Sequence, residues 1–244
     1  MLSLIIPALN EEDHLGACLA SVEGLAGERI VVDGGSSDRT CAIARRHGAR
    51  VIESPCGRGT QLARGAAAAR GEWLFFLHAD SIVTSGLAAI LAGAMENAAF
   101  SVGTFRLRLD GSNPLYRLYS WFTRFDSIWT SFGDQGIVIR RALYDRLGGF
   151  PDWPLLEDVA LLQRARRVTR VLSLPAEIIT SSRRFEEHGI VRQQMRNGTI
   201  IARYLLGAPV EKLAGMYGGN IPLSGISLDA SSHVNIHFNC SEEN

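Results

Sequence analysis

Four apolar runs, each followed by a polar or glycine-rich stretch and each separated from the next by a helical pattern, constrain the fold more than any other feature. "LSLIIPA" (2–8) is continuous and apolar, as a strand covered on both faces must be. "RIVVD" (29–33), "ARVIES" (49–54) and "EWLFFL" (72–77) repeat the pattern. Between the first two, Leu15, Cys18, Leu19 and Val22 recur at helical spacing, with Asn10 as the expected cap. Ser36 or Ser37 is the expected cap of the second helix, with Asp38 in its first turn and Gly48 past its end. The third helix is alanine-rich and stops before Gly71. Strand and helix in strict alternation predict right-handed crossovers and an α/β fold, an open, mostly parallel sheet with helices on both faces.

After about Ala99 the rhythm changes. "FSVGTFRLRLD" alternates like a strand with one polar face, and "NPLYRLYSWFTRF" reads as an aromatic helix. "GIVIRRALYDRLGGF" predicts a strand running into a short helix, "PLLEDVALLQRARRVTR" a helix, and "RVLSLPAEIITSS" two short strands. A helix is expected over 186–206 and a further one over 209–217, with no period beyond 221. The expected organisation is one domain over 1–220, with a nucleotide half (1–100) and an acceptor half (101–220), then a tail over 221–244.

Composition narrows the class. The 244 residues are 46% hydrophobic, enough for a sizeable core. Lys+Arg and Asp+Glu both number 25, so net charge predicts no nucleic acid partner. The four cysteines, Cys18, Cys41, Cys56 and Cys240, lack metal-site spacing and favour a reducing compartment. "MLSLIIPALNEE" has no basic segment before its apolar run, and "SIVTSGLAAILAGAM" is shorter than the ~20 residues of a spanning helix. The expectation is a cytoplasmic protein without a transmembrane segment.

Ligands of an open parallel sheet bind beyond the carboxyl ends of its strands. Those ends read Pro7 to Glu12, Asp33 to Asp38, Pro55 to Gly59 and His78-Ala79-Asp80. Taken singly, each has a bland explanation. Gly34-Gly35 is a turn signal, Asn10 a cap, Arg58 a solvated cation and His78 a structural histidine. No G-x-G-x-x-G and no G-x-x-x-x-G-K-[ST] occurs, which disfavours a dinucleotide fold and excludes a P-loop. Four such ends on one rim favour a site.

Six segments in order, "IIPALNEE", "VDGGSSDRT", "GRGTQLARG", "FLHADS", "GDQG" and "LEDVAL", resemble the motifs of family 2 glycosyltransferases of GT-A fold, over Leu2 to about Tyr217. The histidine in "FLHADS" and the "GDQG" resemble a narrower bacterial branch, the arsenosugar-biosynthesis type. The resemblance implies a nucleoside-diphosphate sugar donor, UDP- or GDP-linked, and a hydroxyl acceptor. By it, Pro7, Ala8 and Leu9 border the base and Glu12 lies near the ribose. Asp33 accepts a base N–H, Arg58 lies near base or phosphates, and Gln61 assists. In the family's D-x-D the last Asp holds a divalent cation, Mn²⁺ or Mg²⁺. Here that residue is Asp80, and the first Asp is replaced by His78, which the resemblance has either pointing at sugar or ribose or joining the metal, where a nitrogen ligand suits Mn²⁺ better than Mg²⁺. His188 is a further metal candidate, with an exposed helix-start residue as the equal alternative.

The resemblance makes Asp158 the general base of a single, inverting displacement, with Glu157 beside it orienting a loop rather than reacting. The bland reading of both is as partners of a helix dipole. Asp134 would hold a sugar hydroxyl, and Arg183-Arg184 would face the leaving diphosphate. A Q-x-x-R-W motif is absent, which argues against a processive synthase. The aromatic stretch 115–125 either packs on the sheet or meets a membrane surface. Two rival functions stand beside this one. A sugar nucleotidyltransferase is disfavoured by the acidic Asn10-Glu11-Glu12-Asp13, and a non-catalytic nucleotide-sugar-binding protein is disfavoured by the intact Asp80 and Asp158.

Overall fold

The computed structural model describes residues 1–111, 116, 120–127, 133–181 and 189–217. In chain order the described elements are β1 (Leu2–Ala8), α1 (Leu15–Ser21), β2 (Glu28–Asp33), α2 (Thr40–Arg46), β3 (Arg50–Glu53) and α3 (Arg58–Ala68). There follow β4 (Trp73–Phe76), β5 (Ser81–Val83), α4 (Leu87–Glu96), β6 (Val102–Leu109) and a 3-10 turn (Gly133–Gln135). The last are β7 (Ile137–Arg140), α5 (Arg141–Arg146), α6 (Glu157–Arg166), β8 (Leu172–Thr180), α7 (Ile190–Leu205) and α8 (Val210–Tyr217).

The strands form one sheet in the order β3-β2-β1-β4-β7-β6-β8-β5. The chain starts in the middle at β1, steps outward to β2 and β3, then returns through α3 to place β4 on the other side of β1. These four are parallel. The strand order reverses between β1 and β4, and open parallel sheets bind ligands beyond the carboxyl ends of strands at such a switch point. Beyond β4 the sheet is mixed: β7 is antiparallel to β4 and β6, β8 is parallel to β6, and β5 is antiparallel to β8.

The pleat sorts the core. Leu4 and Ile6 of β1 join Leu15, Cys18, Leu19, Leu87 and Leu91 on one face, and Ile5 joins Leu62, Ala66, Leu74, Phe76, Leu161 and Leu162 on the other. A third cluster packs α7 and α8 on Leu155, Leu156 and Val159. Helix α3 lies close on the sheet because Gly65 faces Ile5 and Val32 with no room for a Cβ.

The α/β class and the parallel quartet agree with the sequence reading, and three details differ. Residues 172–180 form one strand where two were expected. The register with β6 slips between Phe105 and Arg106, opposite Pro175, which has no N–H to give the ladder. Helix α1 begins only at Leu15 without a side-chain cap, and Asn10 instead turns the chain at φ 52°. Helix α2 begins at Thr40, and Asp38 rather than a serine accepts its first N–H (2.9 Å).

Candidate active site

The loops after β1 and β2 are laced together by polar groups. Asn10 N–H donates to Ser36 Oγ (2.9 Å) and Ser37 N–H donates to Asn10 Oδ1 (2.9 Å). Glu11 N–H donates to Thr40 Oγ1 (2.8 Å), and Glu12 N–H to Asp38 Oδ2 (3.1 Å). Arg39 returns the link, its Nε donating to Glu12 Oε2 at 3.0 Å. The Arg39 hydrogen bond holds the Glu12 carboxyl below the ordinary carboxylate range. Burial pushes Asp38 up, but its hydrogen bonds from Thr40 and the Glu12 N–H outweigh that and leave it lowered. Glu12 and Asp38 therefore shape the rim before any ligand arrives.

Asp33 is buried at the end of β2, where its carboxylate accepts Gly35 N–H, Ser36 N–H and Ser36 Oγ–H. Gln61 is buried too, and its amide nitrogen donates to Ala8 O (2.9 Å) and Val32 O (2.8 Å). This corrects the role expected of Gln61: both hydrogens of its Nε2 are used to bridge the ends of β1 and β2. Pro7 and Leu9 are half-buried beside the buried Ala8, on the edge that Gln61 holds.

At the end of β4, His78 Nδ1 lies 3.7 Å from Asp134 Oδ1 of the 3-10 turn. Gly136 closes that turn at φ 64° against Ile178 and Phe75, where a Cβ has no space; this accounts for the second glycine of "GDQG". Asp80 is half-buried two residues on, and Cys18 Sγ lies under the loop against His78 O at 3.4 Å. Among the described residues no three His, Cys, Asp or Glu side chains gather into a metal cage. A lone carboxylate such as Asp80 fits a cation that takes much of its oxygen shell from ligand phosphates and water. His188, Arg183 and Arg184 lie outside the described residues, as do residues 115 and 117–119 of the stretch 115–125.

A buried acidic pair stands at the start of α6. Glu157 is fully buried and Asp158 nearly so. Arg58, which opens α3, pairs through Nε with Glu157 Oε1 and stands 3.9 Å from Asp158 Oδ2. Arg58 thus reaches the acidic pair, a partner that sequence alone did not assign to it. Burial acts against its charge, but Glu157 and Asp158 outweigh that and push the Arg58 pKa up. Full burial pushes the Glu157 carboxyl above the ordinary range, offset in part by Arg58. Asp158 Oδ1 accepts Val159 N–H at 2.7 Å.

Two residues bring this about that carried no recognisable chemistry in the sequence. Gly59 meets the backbone oxygens of Pro151 and Trp153, at 2.6 and 2.9 Å from where a Cβ would stand, so only glycine lets α3 approach the segment before α6. Leu156, the residue before Glu157, adopts the left-handed conformation at φ 63°. Such strain in a non-glycine residue gathers at functional sites. Only the short sequence "GRG" hinted at the first; nothing hinted at the second. Among the described residues Cys18 is a buried free thiol and Cys41 a partly buried one.

The sequence profile of the family described as Glycosyl transferase family 2 matches residues 3–146, more than half of the chain. A glucosyl-3-phosphoglycerate synthase of Mycolicibacterium paratuberculosis is 40% identical over 94 residues, which cover 33% of this chain and 29% of that protein. An uncharacterized glycosyltransferase of Mycobacterium bovis is 35% identical over 99 residues, 40% of this chain and 44% of that protein. The match thus spans under half the length of these relatives. Among solved structures, a mannosyltransferase from Pyrobaculum calidifontis in complex with GDP-Man and Mn²⁺ is similar at a TM-score of 0.64 and 17% identity, over 88% of this chain and 68% of that one. Glucosyl-3-phosphoglycerate synthase from Mycobacterium tuberculosis, in complex with Mn²⁺, UDP and glucosyl-3-phosphoglycerate, gives a TM-score of 0.62 at 20% identity, over 86% and 81%. The fold is that of GT-A glycosyltransferases, and with its profile matched over residues 3–146 the chain belongs to glycosyl transferase family 2.

Proposed function

We propose that the protein moves a sugar from a nucleoside-diphosphate sugar to an acceptor hydroxyl by a single, inverting displacement. The observation that carries this reading is the polar lacing of the loops after β1 and β2 together with the arginine-paired acid couple at the start of α6. The halves divide the work near residue 100, the first holding the donor and the second, up to about residue 220, the acceptor. Pro7, Ala8 and Leu9 border the base, Asp33 accepts its N–H, and Glu12 lies on the ribose side. Asp134, beside His78, takes a sugar hydroxyl. Asp158 accepts the acceptor proton while the oxygen attacks the anomeric carbon and the bond to the diphosphate breaks on the opposite face. Asp80 would hold a divalent cation, Mn²⁺ or Mg²⁺, with His188 as a further ligand. Bound there, the cation supplies charge stabilisation of the leaving diphosphate.

Relatives bound to GDP-Man and to UDP make those two nucleotides the first to test. The narrower likeness to the arsenosugar-biosynthesis type rests on "FLHADS" and "GDQG", while the curated relatives above include glucosyl-3-phosphoglycerate synthases. 3-Phosphoglycerate is therefore the first acceptor to try. The decisive experiment follows thermal unfolding with UDP, GDP and their sugars in Mn²⁺, because ligands that bind the native state raise its stability. Turnover of UDP-glucose and GDP-mannose is then measured in wild type and Asp158→Asn. Wild-type turnover that survives undiminished in Asp158→Asn removes Asp158 as base, and no stabilisation by any nucleotide sinks the donor reading.

A second reading concerns where the acceptor is met. Trp121, Phe122 and Phe125 are exposed and stack edge to face, with the exposed Arg124 among them. Thr123 anchors this turn by accepting Leu107 N–H at 3.0 Å. Aromatic rings beside a cation suit the headgroup region of an anionic membrane. Among the described residues no helix is long and apolar enough to cross one. Co-sedimentation with phosphatidylglycerol vesicles, lost in Trp121→Ser/Phe125→Ser, is the expected result. Equal sedimentation of the variant overturns this placement.

A further inference from the structure

We infer that Arg58 is a positioning residue for the base: through the buried Glu157 it holds Asp158 at the rim, instead of gripping the donor's phosphates. The inference rests on the reading of Asp158 as base and goes beyond it to what fixes that residue in place. Arg58 and Glu157 are 99 residues apart in sequence, yet Arg58 Nε bonds Glu157 Oε1 and Arg58 Nη2 faces Asp158 Oδ2 at 3.9 Å. The guanidinium fork is thus turned inward, onto the start of α6.

The surroundings are built for that contact. Gly59 lets the first turn of α3 lie against the backbone of Pro151 and Trp153, and Thr60 Oγ1 donates to Asp152. These contacts clamp α3 to the segment that leads into α6. The left-handed Leu156 then presents Glu157 and Asp158 as the first two residues of the helix. Glu157 cannot hold its charge alone. It has no solvent exposure, and its Oε2 has no hydrogen-bond partner among the described residues. A buried carboxylate so placed requires a cation, and Arg58 supplies it. Helix α3 also carries Gln61, which bridges Ala8 and Val32 at the nucleotide edge. One helix therefore touches both the donor edge and the base, and movement of its first turn is transmitted to Asp158.

The test separates holding the base from holding the donor. Arg58→Lys keeps a cation but loses the fork. The pair Arg58→Gln/Glu157→Gln removes both charges, so that no orphan charge is left to unfold the protein. Dissociation constants for UDP and GDP in Mn²⁺ are measured by calorimetry, and kcat from hydrolysis of UDP-glucose and GDP-mannose at saturation. The expected result is unchanged nucleotide affinity with kcat lowered by about 10²-fold in the double variant, the scale for misplacing a reacting group, and by less in Arg58→Lys. Weakened nucleotide binding with kcat intact overturns the inference, as does no change in either quantity. Asp158→Asn in the same assay keeps the two ideas apart. If it is inactive while both Arg58 variants turn over normally, the base stands and the positioning role falls. If it retains full kcat, the base reading itself fails.

Discussion

The two polar regions of the rim are held together in opposite ways. The loops after β1 and β2 use many hydrogen bonds between half-exposed side chains and backbone N–H groups, and their carboxyls, Glu12 and Asp38, are held below the ordinary range. The start of α6 pairs the buried Glu157 with a partly exposed Arg58, and its Glu157 carboxyl is pushed above that range. The signs for stability follow. A lowered carboxyl stabilises the fold above its unfolded pKa, and that contribution is lost as pH falls through the folded value. A raised carboxyl contributes below its unfolded pKa, and that contribution is lost as pH rises through the folded value. Acid therefore loosens the loops after β1 and β2, and alkali strains the start of α6. The first region keeps its shape through redundancy, and in the second the buried Glu157 relies on Arg58.

The largest expected effect breaks the second region. Asp158→Asn should lower kcat by roughly 10²–10⁴-fold, the range of general-base catalysis, without moving the unfolding midpoint, as read by turnover and circular dichroism. Next, Arg58→Ala leaves Glu157 buried and unpaired, which should cost about 3–5 kcal/mol in urea unfolding near neutral pH. That loss should grow as pH is raised from about 4 toward 8, because Glu157 must then ionise without its cation. A loss independent of pH would show that Glu157 is not the group left uncompensated. Gln61→Leu bears on the boundary between the regions. It removes the donor to two buried carbonyls and should cost about 1–3 kcal/mol, with weaker nucleotide binding by calorimetry. Asn10→Ala gives up a hydrogen bond and a residue tolerant of φ 52°, and should cost about 1–2 kcal/mol. The smallest effect is Glu12→Gln: its exposed pair with Arg39 is one link of several, so the unfolding midpoint should hold at neutral pH while the acid-side decline becomes shallower. A large loss there would show that the lacing is not redundant.

Much of this was legible because it is local. The four parallel strands appear as apolar runs, since a strand covered on both faces has no polar positions to spare. Their polar ends mark the rim for the same reason. Asn10 and Ser36 were read as helix caps because a short polar side chain before an apolar period has that meaning in most sequences; here each bonds the neighbouring loop instead. The single strand β8 was split in two by Pro175, whose missing N–H is accommodated by a register slip that only the partner strand reveals.

By itself, then, the sequence determined the α/β class, the parallel quartet and which strand ends are polar, because period and polarity are set by each segment's own burial. Only the tertiary structure decided what the side chains on that rim are partnered with. Gln61 turned out to bridge β1 to β2, and Arg58 to meet Glu157 and Asp158, through a glycine whose only qualification is the absence of a Cβ. Close approach between segments nearly a hundred residues apart leaves no periodic trace in either one. It is fixed by packing, which the chain acquires only once folded.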